Sequence, residues 1–149
     1  MATTGGDCAT AAGVGVGAEV RPRYFRNEEL KQELDNVETL TEDRLDELLD
    51  MFLKDFKAGA VEKRGWPAAF VAYNVSKAAL NAYSRILARR HPMLRVNCVH
   101  PGYVKSDLTL YSGLLTPEEG ASNVVKVAVL PKGGVTGTFF EEGTEASFV

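Results

Sequence analysis

The fold is decided by residues 68–102, which read AAFVAYNVSKAALNAYSRILARRHPMLRVNCVHPG. Apolar and small residues recur at helical spacing in the first part, and they predict a helix over 68–90. Pro92 disfavours helical geometry in the residue before it, so the helix is expected to end there. The apolar stretch that follows predicts a strand over 94–99, which the next Pro-Gly pair stops.

The C-terminal third continues the alternation of helix and strand. Residues 116–119, TPEE, form a capping box with proline at the first helical position, and they predict a helix over 117–130. A Gly-Gly turn at 133–134 then precedes a last strand over 136–141. Helices alternating with strands are typical of an α/β fold whose parallel strands are joined by crossovers.

An amphipathic helix is predicted further upstream, over residues 41–57. Thr41 is placed to cap it, and acidic residues occupy its first turn. Its apolar side chains recur at helical spacing and form one stripe. The stripe consists of Leu45, Leu48, Leu49, Phe52, Leu53 and Phe56. We expect this stripe to pack into the core, and the alternative is that it binds a partner.

The first 23 residues are rich in alanine, glycine, threonine and valine. The run GVGVG at 13–17 suggests a phosphate-binding loop, but a dinucleotide fingerprint needs a strand before its glycines and a helix after them. Pro22 would interrupt such a helix, and the spacing is G-x-G-x-G rather than G-x-G-x-x-G. We therefore expect residues 1–23 to be a flexible leader.

Length and composition indicate one globular domain. The chain has 149 residues, of which 45% are hydrophobic and 25% charged, and no apolar run in it is long enough to span a membrane. A stretch over 58–111 holds eight basic and two acidic residues, but it lacks the interleaved aromatic residues of a single-strand binder, and the net charge is −3. We expect neither a nucleic acid nor a membrane as partner.

The cysteines and histidines give no sign of a metal site. Cys8, Cys98, His91 and His100 have no partners at metal-ligand spacing. Two cysteines cannot make a disulfide framework, and Cys98, which lies in an apolar run, is expected to be a buried thiol. With no secretory signal pattern at the N-terminus, these features favour a reducing, cytoplasmic setting.

Tyr73 and Lys77 are the residues that carry chemistry. Four positions apart on a helix, they share one face, so their polar ends can meet around one reacting group. A free tyrosine has a pKa of about 10, and a neighbouring ammonium lowers that pKa because it favours the phenolate. Such a tyrosine can donate a proton to a forming alkoxide or accept one from an alcohol. The pattern fits carbonyl reduction or alcohol oxidation; a surface tyrosine beside a surface lysine has the same spacing.

A helix with Y-x-x-x-K, then a strand, then P-G-x-V-x-[ST] at 101–106 resembles the short-chain dehydrogenase/reductase superfamily. The resemblance covers residues 24–149. Within it, 24–67 looks like the insertion of a subgroup that includes carbonyl reductases and neomenthol dehydrogenase- and salutaridine reductase-like enzymes. It implies an α/β fold, the C-terminal part of a truncated Rossmann-type doubly wound parallel sheet, in which 68–149 supply the catalytic helix and the last two strands.

The resemblance also implies roles for individual residues in an NADP-dependent reduction of a ketone to an alcohol. Tyr73 would be the catalytic acid, and Lys77 would lower its pKa and bind the nicotinamide ribose. Ser106 would contact the carboxamide or a phosphate; as an alternative, its hydroxyl caps the loop after the strand. The residues implied to bind the cofactor are Lys77, Pro101, Gly102, Val104 and Ser106. Because the subgroup's insertion covers a surface that relatives use to dimerise, the resemblance implies a monomer that acts on a small ketone or alcohol.

Motifs of the family's first half have no counterpart in this sequence. The loop T-G-x-x-x-G-x-G and the motif N-N-A-G are missing, and the first serine is Ser76, already past Tyr73, so the family's upstream catalytic serine has no match. We therefore expect a truncated oxidoreductase with weak or no activity. It should also be poorly stable, because two parallel strands leave an edge and apolar faces uncovered. The alternative is a catalytically inactive remnant that binds a partner through its sheet edge.

Overall fold

A computed structural model of the chain describes residues 10–14, 24–36, 38–131 and 133–148, with only the backbone described for 10–14. Within these ranges the chain forms four strands, four α-helices and a short 3-10 turn. The strands are β1 Thr10–Val14, β2 Arg95–His100, β3 Phe139–Glu141 and β4 Thr144–Ala146. The α-helices are α1 Glu28–Asp35, α2 Glu42–Lys57, α3 Val71–Arg90 and α4 Pro117–Ala128, and a short 3-10 turn covers Asp107–Thr109.

The strands form one sheet in the order β1-β2-β3-β4. β2 pairs in parallel with β1 and with β3, whereas β4 returns antiparallel to β3. The predicted α/β class with parallel strands is therefore confirmed. β4 was not predicted. It follows β3 after a tight turn in which Glu142 and Gly143 have φ values of 50° and 79°.

The prediction of a flexible leader is wrong for part of residues 1–23. Thr10–Val14 form β1, which pairs with β2 so that Val14 lies opposite Val99. Alanine and glycine have a low intrinsic preference for strands, but pairing with the central strand of a sheet overrides that preference. The sheet consequently has a second parallel pair that the sequence did not predict. The other residues of the leader lie outside the described chain.

α3 is the central helix and is buried on two faces. Val75, Ala82 and Ile86 pack against α1 and α2 in the largest hydrophobic cluster of the described chain. The other face packs on β2, where the Cys98 thiol donates to the Asn81 carbonyl with an Sγ–O distance of 3.8 Å. Cys98 is a buried free thiol, as predicted.

The apolar stripe of α2 forms part of the same core, as expected. Leu45, Leu48 and Phe52 are buried, whereas Leu53 and Phe56 lie at the edge of the stripe and are about half exposed. α2 and α4 begin where their caps predict, because each capping threonine accepts a hydrogen bond from a backbone N–H in the first turn.

α4 covers the face of the sheet opposite to α3. Val127 of α4 packs with Val99 of β2 and Phe140 of β3, and successive residues of β2 point to opposite faces. The sheet thus has helices on both sides, as in a doubly wound fold. No helix in the described ranges is long and apolar enough to cross a bilayer.

Candidate active site

The first turns of α3 and the loop after β2 enclose a cavity of about 440 Å³. Tyr73 and Asn74 line it from α3, and Tyr103, Leu108 and Leu110 line it from the loop. The loop leaves the carboxyl end of β2, and ligands of open parallel sheets bind outside the carboxyl ends of the strands. The helix and the loop singled out in the sequence therefore meet at one concave site.

Tyr73 and Lys77 lie on the same side of α3. The Lys77 Nζ is 5.7 Å from the centroid of the Tyr73 ring, which is within the range of cation–π attraction. Both side chains are partly buried. The i,i+4 spacing thus places the ammonium of Lys77 over the face of the Tyr73 ring.

The pKa of Tyr73 departs from the expectation. Partial burial raises the pKa of Tyr73 above its ordinary value of 10.0, because removal from water disfavours the phenolate. Burial, rather than the neighbouring ammonium, determines the direction of this shift. The consequence is that Tyr73 stays a neutral phenol at pH 7, which is the form that can donate a proton.

The Pro101-Gly102 turn is buried and is held from two sides. The Gly102 N–H donates to His100 Nδ1 at 3.1 Å, and Asn123 Nδ2 of α4 donates to the Pro101 carbonyl at 3.0 Å. Gly102 has a φ of 97°, and a Cβ at this position would lie 2.4 Å from Leu115 Cδ1. The positive φ favours glycine here, and the space that a side chain would need is taken by Leu115 and Glu142.

Val104 and Ser106 follow this turn. Val104 forms a bridge to Leu115, and its Cγ2 occupies the space that a Cβ on Gly120 of α4 would need. The Ser106 Oγ is buried and makes no hydrogen bond to any residue that the structure describes. Ser106 also stands at the cap of the 3-10 turn, where its N–H donates to Thr109 Oγ1 at 3.0 Å, so the structure is compatible both with the cap expected as the alternative and with a cofactor contact of the buried hydroxyl.

Two contacts of the site were not foreseen from the sequence. His100 was considered only as a metal ligand, and Asn123 was not singled out at all. Asn123 is 22 positions from the carbonyl that it binds, and a contact at that separation leaves no local pattern. For His100, the available signal was its place directly before a Pro-Gly turn. Among the described residues, no group of three or more His, Cys, Asp or Glu side chains could hold a metal ion.

Known proteins match the region that contains this site. A family model described as Enoyl-(Acyl carrier protein) reductase matches residues 58–136. Short-chain dehydrogenase/reductase 1 of Saponaria officinalis is 46% identical over 121 residues, which cover 81% of this chain and 40% of the relative. Carbonyl reductase (NADPH) 1 of Rattus norvegicus is 36% identical over 127 residues, which cover 81% of this chain and 42% of the relative.

A solved structure matches as well. Salutaridine reductase from Papaver somniferum superposes with a TM-score of 0.81 at 41% identity, over 91% of this chain and 45% of that chain. The match confirms the predicted Rossmann-type α/β fold. The chain spans about two fifths of the length of the curated relatives it matches.

All the residues predicted for the site lie within the range matched by the family model. The similarity to a carbonyl reductase and to salutaridine reductase also confirms the predicted subgroup. On these matches, and with its Y-x-x-x-K helix packed on a parallel sheet, the chain belongs to the short-chain dehydrogenase/reductase family.

Proposed function

We propose that the chain carries the nicotinamide end of an NADP-dependent carbonyl reductase. The observation that supports this most directly is the convergence at one cavity. Tyr73 lines the cavity with Lys77 beside its ring, and Tyr103, the next residue after the Pro101-Gly102 turn, lines the same cavity. The cavity thus offers a phenol to a reacting carbonyl, with an ammonium beside the phenol ring and the Pro101-Gly102 turn adjoining through Tyr103.

In this proposal, NADPH supplies a hydride to the carbonyl carbon of a bound ketone. The Tyr73 hydroxyl donates its proton to the carbonyl oxygen as the alkoxide forms. Burial keeps this phenol protonated before the step. Lys77 then stabilises the tyrosinate that remains, because an ammonium favours a neighbouring anion, and it also binds the nicotinamide ribose.

The loop after β2 would hold the nicotinamide. Pro101 and Gly102 provide a surface that a planar ring can approach closely, and Val104 extends it. The Ser106 hydroxyl, buried without a partner among the described residues, would donate to or accept from the carboxamide or a phosphate. The preference for NADP over NAD is supported by the name of the rat relative, which specifies NADPH.

The cavity favours a ketone with a bulky apolar body. Phe70, Leu108 and Leu110 line it, and these side chains are 84%, 62% and 87% exposed. Apolar side chains held at the surface of a cleft are typical of a site that a ligand covers. The substrate class is therefore a hydrophobic ketone, or the corresponding alcohol in the reverse direction.

We also infer a cytoplasmic monomer. α1 and α2, which belong to the subgroup's insertion, pack on α3 and cover one of its faces. If relatives dimerise through this face of α3, the insertion would prevent dimerisation here because α1 and α2 already occupy the face. The buried free thiol of Cys98 fits a reducing compartment.

Turnover of the purified chain tests the proposal. With an excess of NADPH and a cyclic ketone, we expect slow, ketone-dependent loss of NADPH absorbance, because this sequence has no glycine-rich pyrophosphate loop. Tyr73→Phe should abolish this activity. Tyr83→Phe, a change on the same helix outside the cavity, should leave it unchanged. Equal rates for the unchanged chain and Tyr73→Phe would refute the role of Tyr73. Turnover at ordinary enzyme rates would refute the expectation that the chain is weakly active.

A catalytically inactive, partner-binding role is the second candidate, and the position of β1 favours it. β1 lies at the end of the sheet, with β2 on one side and no strand of the described chain on the other. An unpaired strand edge can accept a strand from another chain, such as a full-length relative. Tyr73→Phe distinguishes the two candidates, because a binding module keeps its partner whereas a reductase loses turnover.

A further inference from the structure

We propose that His100 is a positioning residue, whose neutral imidazole holds the Pro101-Gly102 turn in the form that binds the cofactor. The inference rests on the proposed function, since it concerns the turn assigned there to the nicotinamide. It goes beyond that function in making cofactor affinity depend on the protonation of one histidine.

The contact between His100 and Gly102 requires a neutral ring. His100 ends β2 and is 8% exposed, and its Nδ1 accepts the Gly102 N–H at 3.1 Å. A neutral imidazole with its proton on Nε2 can accept at Nδ1, whereas an imidazolium carries a proton on both nitrogens and cannot accept at either. When His100 is protonated, the N–H at Nδ1 faces the N–H of Gly102. Two donors then point at each other, and the buried Gly102 amide loses its acceptor.

The other contacts of the turn do not titrate with His100. Asn123 Nδ2 donates to the Pro101 carbonyl at 3.0 Å, and Lys126 Nζ donates to Asn123 Oδ1 at 3.1 Å, which orients the amide. The Pro101 carbonyl and the Gly102 N–H belong to one planar peptide unit, so this peptide plane is fixed from α4 through its oxygen and from the end of β2 through its N–H. Loss of the His100 contact leaves the peptide plane held through its carbonyl alone, so that it can tilt about that one hydrogen bond.

Charged groups lie on the elements that neighbour His100. β3 contributes Glu141, which lies opposite His100 in the parallel register, and the turn after β3 contributes Glu142. Carboxylates favour the imidazolium, and ammonium groups disfavour it. The residues of β1, TAAGV, carry no titratable side chain. Besides Glu141 and Glu142, the titratable groups on the elements around His100 are Arg95 and Cys98 of β2, Tyr73, Lys77, Tyr83, Arg85, Arg89 and Arg90 of α3, Tyr103, Lys105, Asp107 and Tyr111 of the loop, and Glu118, Glu119 and Lys126 of α4.

The chain offers a matched set of variants. It has two histidines, and the second, His91, is exposed at the C-terminal end of α3. In His100→Asn, the side-chain oxygen stands near the place of Nδ1 and accepts a hydrogen bond at any pH. His100→Leu removes the acceptor, and His91→Asn is the control for removing a histidine elsewhere. Circular dichroism at each pH would establish that every variant is folded.

The experiment measures the affinity of the full chain for NADP+ between pH 5 and pH 8, the range in which imidazoles titrate. At pH 8 we expect His100→Asn to bind like the unchanged chain, and His100→Leu to bind about three- to tenfold more weakly, the effect of one lost hydrogen bond. At pH 5 the unchanged chain and His91→Asn should fall toward the affinity of His100→Leu, whereas His100→Asn should fall less. Parallel pH profiles for the unchanged chain and His100→Asn, or undiminished binding by His100→Leu at pH 8, would overturn the inference.

A second readout separates this inference from the proposed function. The amide resonance of Gly102 should shift with the titration of the His100 ring in the unchanged chain, and should not do so in His100→Asn. If NADP+ does not bind at pH 8, the proposed function fails, and with it the claim that His100 controls cofactor affinity. If NADP+ binds but the amide resonance of Gly102 does not shift as His100 titrates, the inference alone fails.

Discussion

At the scale of single residues, the candidate site combines an acid that stays protonated with a turn that only glycine can form. Partial burial keeps the Tyr73 phenol neutral, and Lys77 lies over its ring. Gly102 has a positive φ and no room for a Cβ. The proposed proton donor and the proposed cofactor surface therefore differ in what shapes them, which is desolvation for Tyr73 and a positive φ for Gly102.

The raised pKa of Tyr73 predicts a dependence of stability on alkaline pH. The folded state keeps this proton more tightly than the unfolded state, whose tyrosine ionises at about pH 10. The contribution is therefore fully present below pH 10 and is lost as the pH rises through the folded pKa. Melting temperatures should show the gap between the unchanged chain and Tyr73→Phe move in favour of the variant above pH 10. A gap that stays constant from pH 8 to pH 11 would contradict the assignment.

At the scale of elements, α2 supports α3 through an aromatic cluster. The ring of Phe52 meets Trp66 edge-on with centroids 5.1 Å apart, and Trp66 donates from Nε1 to Asp55 Oδ2 at 2.9 Å. The cluster belongs to the core that also buries the inner face of α3. The rigidity of the helix that carries Tyr73 thus depends on side chains of the insertion.

Truncation of the α2 stripe should destabilise the chain according to burial. Phe52→Ala removes a buried ring, and we expect it to lower the free energy of unfolding by about 3–5 kcal/mol. Leu53→Ala, at the next and half-exposed position, should cost about 1 kcal/mol or less. Denaturant unfolding measures both values. Equal losses for the two variants would show that the stripe does not pack as described.

The sequence predicted the elements whose signals are local. Pro92 and the capping box at 116–119 determine helix ends within a few residues, and i,i+4 spacing alone put Tyr73 and Lys77 on one face. α1 was missed although it has a local signal, since Asn27 caps it by accepting two backbone N–H groups.

The remaining elements and contacts depend on partners that are distant in sequence. β1 has the composition of a loop and is a strand only because β2 lies beside it. β4 has three residues and exists by pairing with β3. The bond from Asn123 to Pro101 joins α4 to the end of β2, which no periodicity indicates.

At the scale of the whole molecule, β1 makes the sheet more complete than two parallel strands would be. It pairs with β2 over five residues and leaves β2 central, with a strand on each side. Parallel sheets are normally covered on both faces, and an unpaired edge leaves backbone groups without partners. The stability of the chain should therefore depend on a segment whose composition looks dispensable.

Deletion of residues 1–14 should test this dependence, with deletion of 1–9 as the matched control. The longer deletion removes β1 and exposes the edge of β2, and we expect it to lower the melting temperature by about 5–10 °C relative to the shorter one. Thermal unfolding followed by circular dichroism gives both values. Equal melting temperatures would show that β1 contributes nothing to the fold.

The central claim is that the loop after β2 and the first turns of α3 form a nicotinamide site. Amide spectra of the isotope-labelled chain, titrated with NADP+ and separately with nicotinamide mononucleotide, test it most directly. The account predicts saturable shifts at Tyr73, Lys77, Gly102, Val104 and Ser106 with both ligands. Shifts that do not saturate, or that fall only on residues remote from this cavity, would contradict it.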